Sequence, residues 1–255
     1  MSIIDDIESY YNGFCGEKGV IGESVNGNPI YFFTVRKSEY PVIIAQYSIH
    51  AREYITSFLA LKQIERFTYN GKCGTVHFLP LTNPDGAFIA QTENGKYKAN
   101  ARGVDLNVNF DARWGKGKCN VRKAGAENYI GEKPFSEPET VALRDFTLLI
   151  NPTLTLSYHS KGEEIYWEFF QDGYQKIRDY KIAKEIATVT GYDIKSTPDS
   201  CGGYKDWCIE KLGIPAFTIE VGDDREEHPL NKRCLEQIYL RNERVVEVVI
   251  NSLLE

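Results

Sequence analysis

The chain has 255 residues, 42% hydrophobic and 13% aromatic side chains and a formal charge of −6, which excludes a disordered polypeptide and supplies ample material for a core. The acidic balance and the lack of a Lys/Arg-rich run argue against nucleic acid as a partner. No stretch approaches the ~18 consecutive apolar residues of a membrane span, and the opening Met1-Ser-Ile-Ile-Asp-Asp-Ile-Glu has neither the basic nor the apolar region of a secretory leader, so a cytoplasmic protein without a membrane partner is expected.

In chain order, Pro29 to Val35 and Val42 to Tyr47 read as strands, rich in Ile, Val, Phe and Tyr. Tyr54 to Phe67 reads as a helix with Ile55, Phe58, Leu59 and Ile64 near one face. Val76 to Leu81 is a short apolar run that ends in the turn signal Asn83-Pro84-Asp85-Gly86. From about Gly86 to Lys133 the chain loses periodicity and is rich in Asn, Gly, Lys and Arg, the mark of a long functional loop. Ser136-Glu-Pro-Glu139 predicts a capping box opening a helix through Phe146. Leu154 to Tyr158 is a strand, Gln175 to Thr190 a helix stopped at Gly191, and Ala216 to Val221 a further strand. Leu235 to Leu254 carries Leu235, Ile238, Tyr239, Val246, Val249 and Leu253 at helical spacing. No linker or repeat interrupts this alternation, so residues 1–255 are expected to form a single α/β domain with helices on both faces of its sheet. The six cysteines (15, 73, 119, 201, 208 and 234) form no C-x-x-C pair and are expected to be reduced thiols.

Ligands in such sheets bind outside the carboxyl ends of strands, and three candidate residues lie at or just past predicted strand ends: His50, His159 and Glu220. Glu53 follows His50 by three positions, so one tight turn can aim both at one ion. Two histidines and a carboxylate are a ligand set for a catalytic zinc, which keeps a fourth position open for water. Glu220, closing an apolar run, is the proton acceptor such a water needs. The ligand types also admit cobalt or manganese. His77, inside an apolar strand, and His228, before Pro229, read as structural.

The words around these residues carry a resemblance. His-Ala-Arg-Glu (50–53), Asn-Pro-Asp-Gly (83–86), Gly-Val-Asp-Leu-Asn (103–107), Pro-Phe-Ser-Glu-Pro-Glu (134–139), Tyr-His-Ser (158–160), Lys-Asp-Trp (205–207) and Phe-Thr-Ile-Glu (217–220) stand in this order, and the chain from about residue 20 onward resembles the carboxypeptidase A-like zinc metallopeptidases. The resemblance implies a mixed, largely eight-stranded sheet flanked by helices, with His50, Glu53 and His159 holding one zinc ion and Glu220 as general base. It implies Asp105 as the group that orients a ligand histidine. It also implies a nearby arginine that stabilises the oxyanion, for which Arg52 or Arg102 is expected.

Two departures from the digestive members point at the substrate. Those enzymes grip a C-terminal carboxylate with an Asn-Arg pair where this chain has Asn107-Val108, and valine cannot supply bidentate hydrogen bonds. Their active-site tyrosine falls at Pro198 here. Arg113, six residues past Asn107, is a candidate substitute. The position that lines the side-chain specificity pocket is Lys205, whose ammonium favours a carboxylate on the substrate, worth about 1.5–3 kcal/mol. Asn107, Arg113, Tyr204 and Lys205 are therefore the expected substrate-binding residues, with Glu163, Tyr166 and Trp167 shaping the pocket.

The words Lys98-Ala-Asn-Ala-Arg-Gly-Val-Asp-Leu-Asn107, His159-Ser-Lys-Gly-Glu-Glu-Ile-Tyr-Trp167 and Gly203-Tyr-Lys-Asp-Trp207 are most similar to the branch that cleaves γ-D-glutamyl-meso-diaminopimelate. That branch often carries a wall-binding domain, and without one a small soluble muropeptide is the expected substrate. The alternatives are a conventional carboxypeptidase for acidic or polar residues of L-peptides, a deacylase or deglutamylase of another branch, and a non-catalytic carboxylate-binding module.

Overall fold

The computed structural model describes residues 2–255. Its elements in chain order are α1 (Ile3–Gly13), β1 (Glu17–Glu23), β2 (Pro29–Arg36), β3 (Val42–Tyr47), α2 (Ile55–Asn70), β4 (Thr75–Leu79), α3 (Pro84–Thr92), α4 (Pro138–Ile150), β5 (Leu154–His159), β6 (Glu164–Tyr166), α5 (Gly173–Thr190), β7 (Asp193–Lys195), α6 (Tyr204–Trp207), β8 (Ala216–Glu220), α7 (Leu235–Asn242) and α8 (Val245–Leu254). The eight strands make one mixed sheet in the order β1-β2-β4-β3-β5-β8-β6-β7.

The four central strands, β4, β3, β5 and β8, run parallel. Strands buried on both faces read as continuous apolar runs, and β4 and β5 are buried at every position. The chain leaves β3 toward β4 on one side and later places β5 on the other. The crevice beyond the carboxyl ends of β3 and β5 is therefore the switch point at which such sheets bind ligands. One device holds those two strand ends level. Tyr47 and Tyr158 are register partners whose rings stack with centroids 4.7 Å apart. The Tyr47 hydroxyl donates to Gln63 Oε1 at 2.6 Å, and Gln63 Nε2 donates to the Tyr158 hydroxyl at 3.0 Å. A buried polar network of this kind is satisfied in one register only.

The apolar stripe of α2 lies on the sheet through Ile55, Leu59, Ile64 and Phe67. Phe58, expected on that face, turns instead to a small separate cluster with Ile3 and Ile7 of α1. Gly191 ends α5 at φ +70°, as the stop signal predicts.

Four sequence expectations are corrected. Asn83-Pro84-Asp85-Gly86 is not a free turn but the start of α3. Asn83 caps it by accepting from Gly86 N at 3.0 Å, and Pro84 takes the first-turn position where its missing N–H costs nothing. The irregular region is accordingly shorter, beginning after Thr92. The capping box at Ser136 is not made. Glu137 is the N-cap residue of α4, and the Ser136 hydroxyl donates to the Glu137 carboxylate instead. The last predicted helix is two. The Asn242 carbonyl accepts from Gln63 Nε2 at 2.9 Å rather than continuing the helical ladder, and the chain restarts as α8 at Val245.

Candidate metal-dependent active site

His50 follows β3 and Glu53 closes the single 3-10 turn Ala51–Glu53, while His159 ends β5. All three are buried. Glu53 Oε1 lies 2.9 Å from His50 Nδ1, Glu53 Oε2 lies 3.0 Å from His159 Nδ1, and the two Nδ1 atoms are 3.0 Å apart. The three side chains offer ligand atoms within 4.8 Å of one another and could hold a metal ion.

The chemistry of this trio fits a cation. If both Nδ1 atoms carried protons to satisfy Glu53, those protons would face each other; if only one did, the other Nδ1 would set its lone pair against a carboxylate oxygen. A single cation between the three satisfies every donor atom at once. Burial pushes the Glu53 carboxyl toward its neutral form, but the two imidazoles outweigh it and hold the group ionised, well below the usual carboxylate range. His50 Nε2 faces Asp105 Oδ1 at 3.3 Å, which places the ring proton on Nε2 and leaves the Nδ1 lone pair for a metal. Asp105 is itself held by Lys98 Nζ at 2.9 Å and by the backbone N–H groups of Asn107 and Asn128. Its carboxyl stays far below the usual range: burial opposes this, and the Lys98 and His50 charges prevail.

Glu220 ends β8 in register with His159 on one side and Glu164 of β6 on the other, so the three side chains leave the same face of the sheet. With no cation on the trio beside it, burial pushes the Glu220 carboxyl up to about 8; a cation there would favour the ionised form that can accept a proton. A cavity of about 380 Å³ opens over this edge, lined by His50, Lys98, Asn107, Tyr166, Lys205 and Glu220 among others. A larger groove of about 1010 Å³ runs beside α1, lined by residues such as Tyr10, Phe14 and Val35. It contains none of the three clustered ligands and not Glu220.

Lys205, the first basic residue of α6, is only 5% exposed. Its ammonium donates to Asp206 Oδ1 at 2.6 Å and to the Glu168 carbonyl at 3.1 Å, which engages two of its three N–H groups. Asn107 lines the cavity and its Oδ1 accepts from Tyr204 N at 3.1 Å. Val108 stands on the same wall, with no guanidinium to offer.

Other expected residues lie elsewhere. The Arg52 guanidinium turns to the Lys96 carbonyl at 3.1 Å and to Glu127 at 3.3 Å. The 3-10 turn that aims His50 and Glu53 inward buries Ala51 and turns Arg52 away from them. The Arg102 side chain is 55% exposed and lies 3.8 Å from Glu137; neither arginine lines the cavity. Tyr204 is fully buried beneath α6 with its hydroxyl 2.8 Å from Thr147 Oγ1, a core residue rather than a wall. Arg113 lines a neighbouring groove, stacked 3.3 Å over the Phe170 ring and paired with Glu210 at 3.0 Å. Glu163 pairs with Arg241, and Trp167 packs into the main core. Of the trio expected to shape the pocket, Tyr166 lines it, its hydroxyl hydrogen-bonded to Glu164.

The sequence profile of the zinc carboxypeptidases matches residues 1–244, and the chain belongs to that family of zinc metallopeptidases. It is 28% identical over 269 residues to gamma-D-glutamyl-L-diamino acid endopeptidase 1 of Lysinibacillus sphaericus, covering 90% of this chain and 67% of that protein. Carboxypeptidase B of Rattus norvegicus is 27% identical over 246 residues, covering 81% of this chain and 58% of the relative. Among solved structures, bovine thrombin-activatable fibrinolysis inhibitor superposes with a TM-score of 0.88 at 22% identity, covering 100% of this chain and 97% of that one. The murein-tripeptide amidase MpaA from Escherichia coli O157 gives 0.65 at 20% identity, covering 92% of each. The structural likenesses establish the shared fold, an eight-stranded mixed sheet flanked by helices. No described helix is long and apolar enough to cross a membrane.

Proposed function

We propose that this zinc peptidase hydrolyses the amide bond between γ-D-glutamate and meso-diaminopimelate in bacterial cell-wall peptides. The observation that carries this reading is the exchange of charges along the cavity wall. Val108 stands where the digestive enzymes that the chain resembles have a carboxylate-binding arginine, while the buried ammonium of Lys205 lines the same cavity with one N–H uncommitted. A ligand with a carboxylate at the tip of its side chain complements that ammonium, and diaminopimelate has one. The Lysinibacillus relative, named for a γ-D-glutamyl-L-diamino acid bond, supports the same choice.

In this reading His50, Glu53 and His159 would hold zinc, which would supply Lewis acidity. Glu220 takes a proton as the water oxygen adds to the amide carbon. The carbon–nitrogen bond then breaks, its electron pair leaves on nitrogen, and Glu220 returns the proton there. Asp105 keeps His50 in the productive tautomer. Asn107, anchored through Tyr204 N, lines the wall beside Lys205.

The deciding experiment incubates the zinc-loaded protein with L-Ala-γ-D-Glu-meso-diaminopimelate and locates the cut by mass spectrometry. Release of free diaminopimelate is expected. No cleavage there, with release of C-terminal Glu or Asp from L-peptides, would assign a conventional carboxypeptidase instead.

A further inference from the structure

We infer that Glu168 is a positioning residue for the specificity end of this cavity, joining the Lys205 ammonium to the segment 196–200, a second stretch of the cavity wall. The inference deepens the proposed function and rests on a substrate side chain entering beside Lys205, but not on which bond is cut.

Strands β6 and β7 run parallel, and their last ladder pair is Tyr166 with Lys195. Beyond that pair the chain leaving β7 runs on through Thr197, Pro198, Asp199 and Ser200, all of which line the cavity. This stretch belongs to no helix or strand, and Ser196, Pro198, Asp199 and Ser200 are exposed. Exposed backbone with few fixed contacts opens easily, so a wall built from it depends on its ties. At its far end the Asp199 carbonyl accepts from Lys118 N at 2.9 Å. At its start the Ser196 hydroxyl donates to Glu168 Oε2 at 2.8 Å.

Glu168 holds Lys205 as well. Its carbonyl accepts from the Lys205 ammonium at 3.1 Å. Lys176 of α5 donates to the other carboxylate oxygen, Oε1, and the Glu168 side chain is 28% exposed. The hydrogen bonds from Lys176 and Ser196 hold the carboxyl below the usual range, so the contact to Ser196 is a charge-assisted one, stronger than a neutral bond. The backbone of one residue thus takes the ammonium, its side chain takes the wall, and α5 anchors both. A recognition site works when its groups are held in place before the ligand arrives, and Glu168 gives Lys205 and the 196–200 wall a common support.

Glu168→Ala tests this, because it keeps the carbonyl for Lys205 and releases Ser196. With the zinc-loaded protein and a peptide that the wild type cleaves, KM is expected to rise about tenfold, as for a lost charge-assisted hydrogen bond, with kcat within about threefold. The rise should shrink below about threefold when the residue entering the cavity is alanine, whose methyl group offers Lys205 no carboxylate. Amide hydrogen exchange at Thr197, Asp199 and Ser200, measured without peptide, should quicken by about tenfold or more. Ser196→Ala should reproduce both effects, and the double variant should add little to either, as expected of two groups in one contact. Glu168→Gln still accepts from Ser196 and should recover more than half of the logarithmic loss. Unchanged KM in Glu168→Ala, an equal rise on both peptides, or unchanged exchange would overturn the inference. Should Glu168→Ala not fold, Ser196→Ala, a change at an exposed hydroxyl, decides on the same readings. Failure of the proposed function shows in the wild type, as cleavage of another class of peptide, and leaves this comparison intact; failure of the inference shows in the variants alone.

Discussion

At the scale of single residues, the proposed reaction separates proton transfer from substrate recognition, and each half has its own test. Glu220→Gln keeps the size of the side chain and removes the proton acceptor. It should lower kcat by roughly 10²–10⁴ without loss of bound metal, since Glu220 is not among the clustered ligands; wild-type turnover by this variant, measured on the same peptide, would remove it from the mechanism. Lys205→Ala should harm substrates with a side-chain carboxylate far more than their L-Lys analogues, by about tenfold or more in kcat/KM for a lost charge-assisted bond. Equal loss on both substrates would mean that Lys205 serves α6 through Asp206 rather than the ligand. The clustered trio and Glu220 could be picked out in the sequence because His50, His159 and Glu220 follow predicted strands, Glu53 stands three positions past His50, and the ordered words carry the family resemblance. Lys98, which lines the cavity and pairs with Asp105, was hidden inside one of those words, beside the more conspicuous Arg102. Its only local sign is that it precedes the buried Ala99-Asn100 pair, and burial is not visible in a residue letter.

At the scale of elements, the active edge depends on how α3 begins. Asn83 caps the helix with one side-chain atom and clamps the segments behind His50 and Lys98 with the other. Gly86, in the first turn, lets Ala99 approach; a Cβ there would come within 2.3 Å of the Ala99 carbonyl oxygen. That oxygen is backbone and cannot swing aside. Gly86→Ala should therefore destabilise the protein by about 1–3 kcal/mol, as overpacking does, and should lower kcat in the molecules that remain folded. Thermal unfolding and activity at a temperature well below the transition would separate the two effects, and a variant with wild-type values in both would show that the support is not needed. The sequence reads Asn-Pro-Asp-Gly as a turn because the same residue types start turns and helices. The choice between them is made by the segments packed around the motif, here Ile49 and Ala99, whose carbonyls hold the Asn83 amide.

At the scale of the whole molecule, a buried acid outside the cavity sets a pH dependence of stability. Glu139 of α4 accepts from Val25 N at 3.2 Å and from Asn100 Nδ2 at 3.2 Å, yet burial pushes its carboxyl up to about 7. In the unfolded chain it titrates at about 4.3. Between those values the folded state holds a proton that the unfolded state has released, so this group lowers stability as pH rises from about 4.3 to about 7 and adds no further slope above. The effect is on the order of 3–4 kcal/mol. Glu139→Gln should flatten the fall in melting temperature across that window, and a slope identical to wild type would assign it to other groups.

The central strands, the α2 and α5 helices, the family and the ligand chemistry are all written in the order of the residues alone. Each rests on local periodicity or on short words whose meaning does not depend on distant residues. Three-dimensional packing was needed to settle which cations face the cavity, that Tyr204 belongs to the core and Lys205 to the wall, and where the last helix breaks. Those outcomes turn on contacts between segments far apart in the chain. Gln63 reaches Asn242 across 179 positions, and Tyr204 packs its hydroxyl on Thr147. A side chain's direction is set by what is already packed against it, and no local pattern records that.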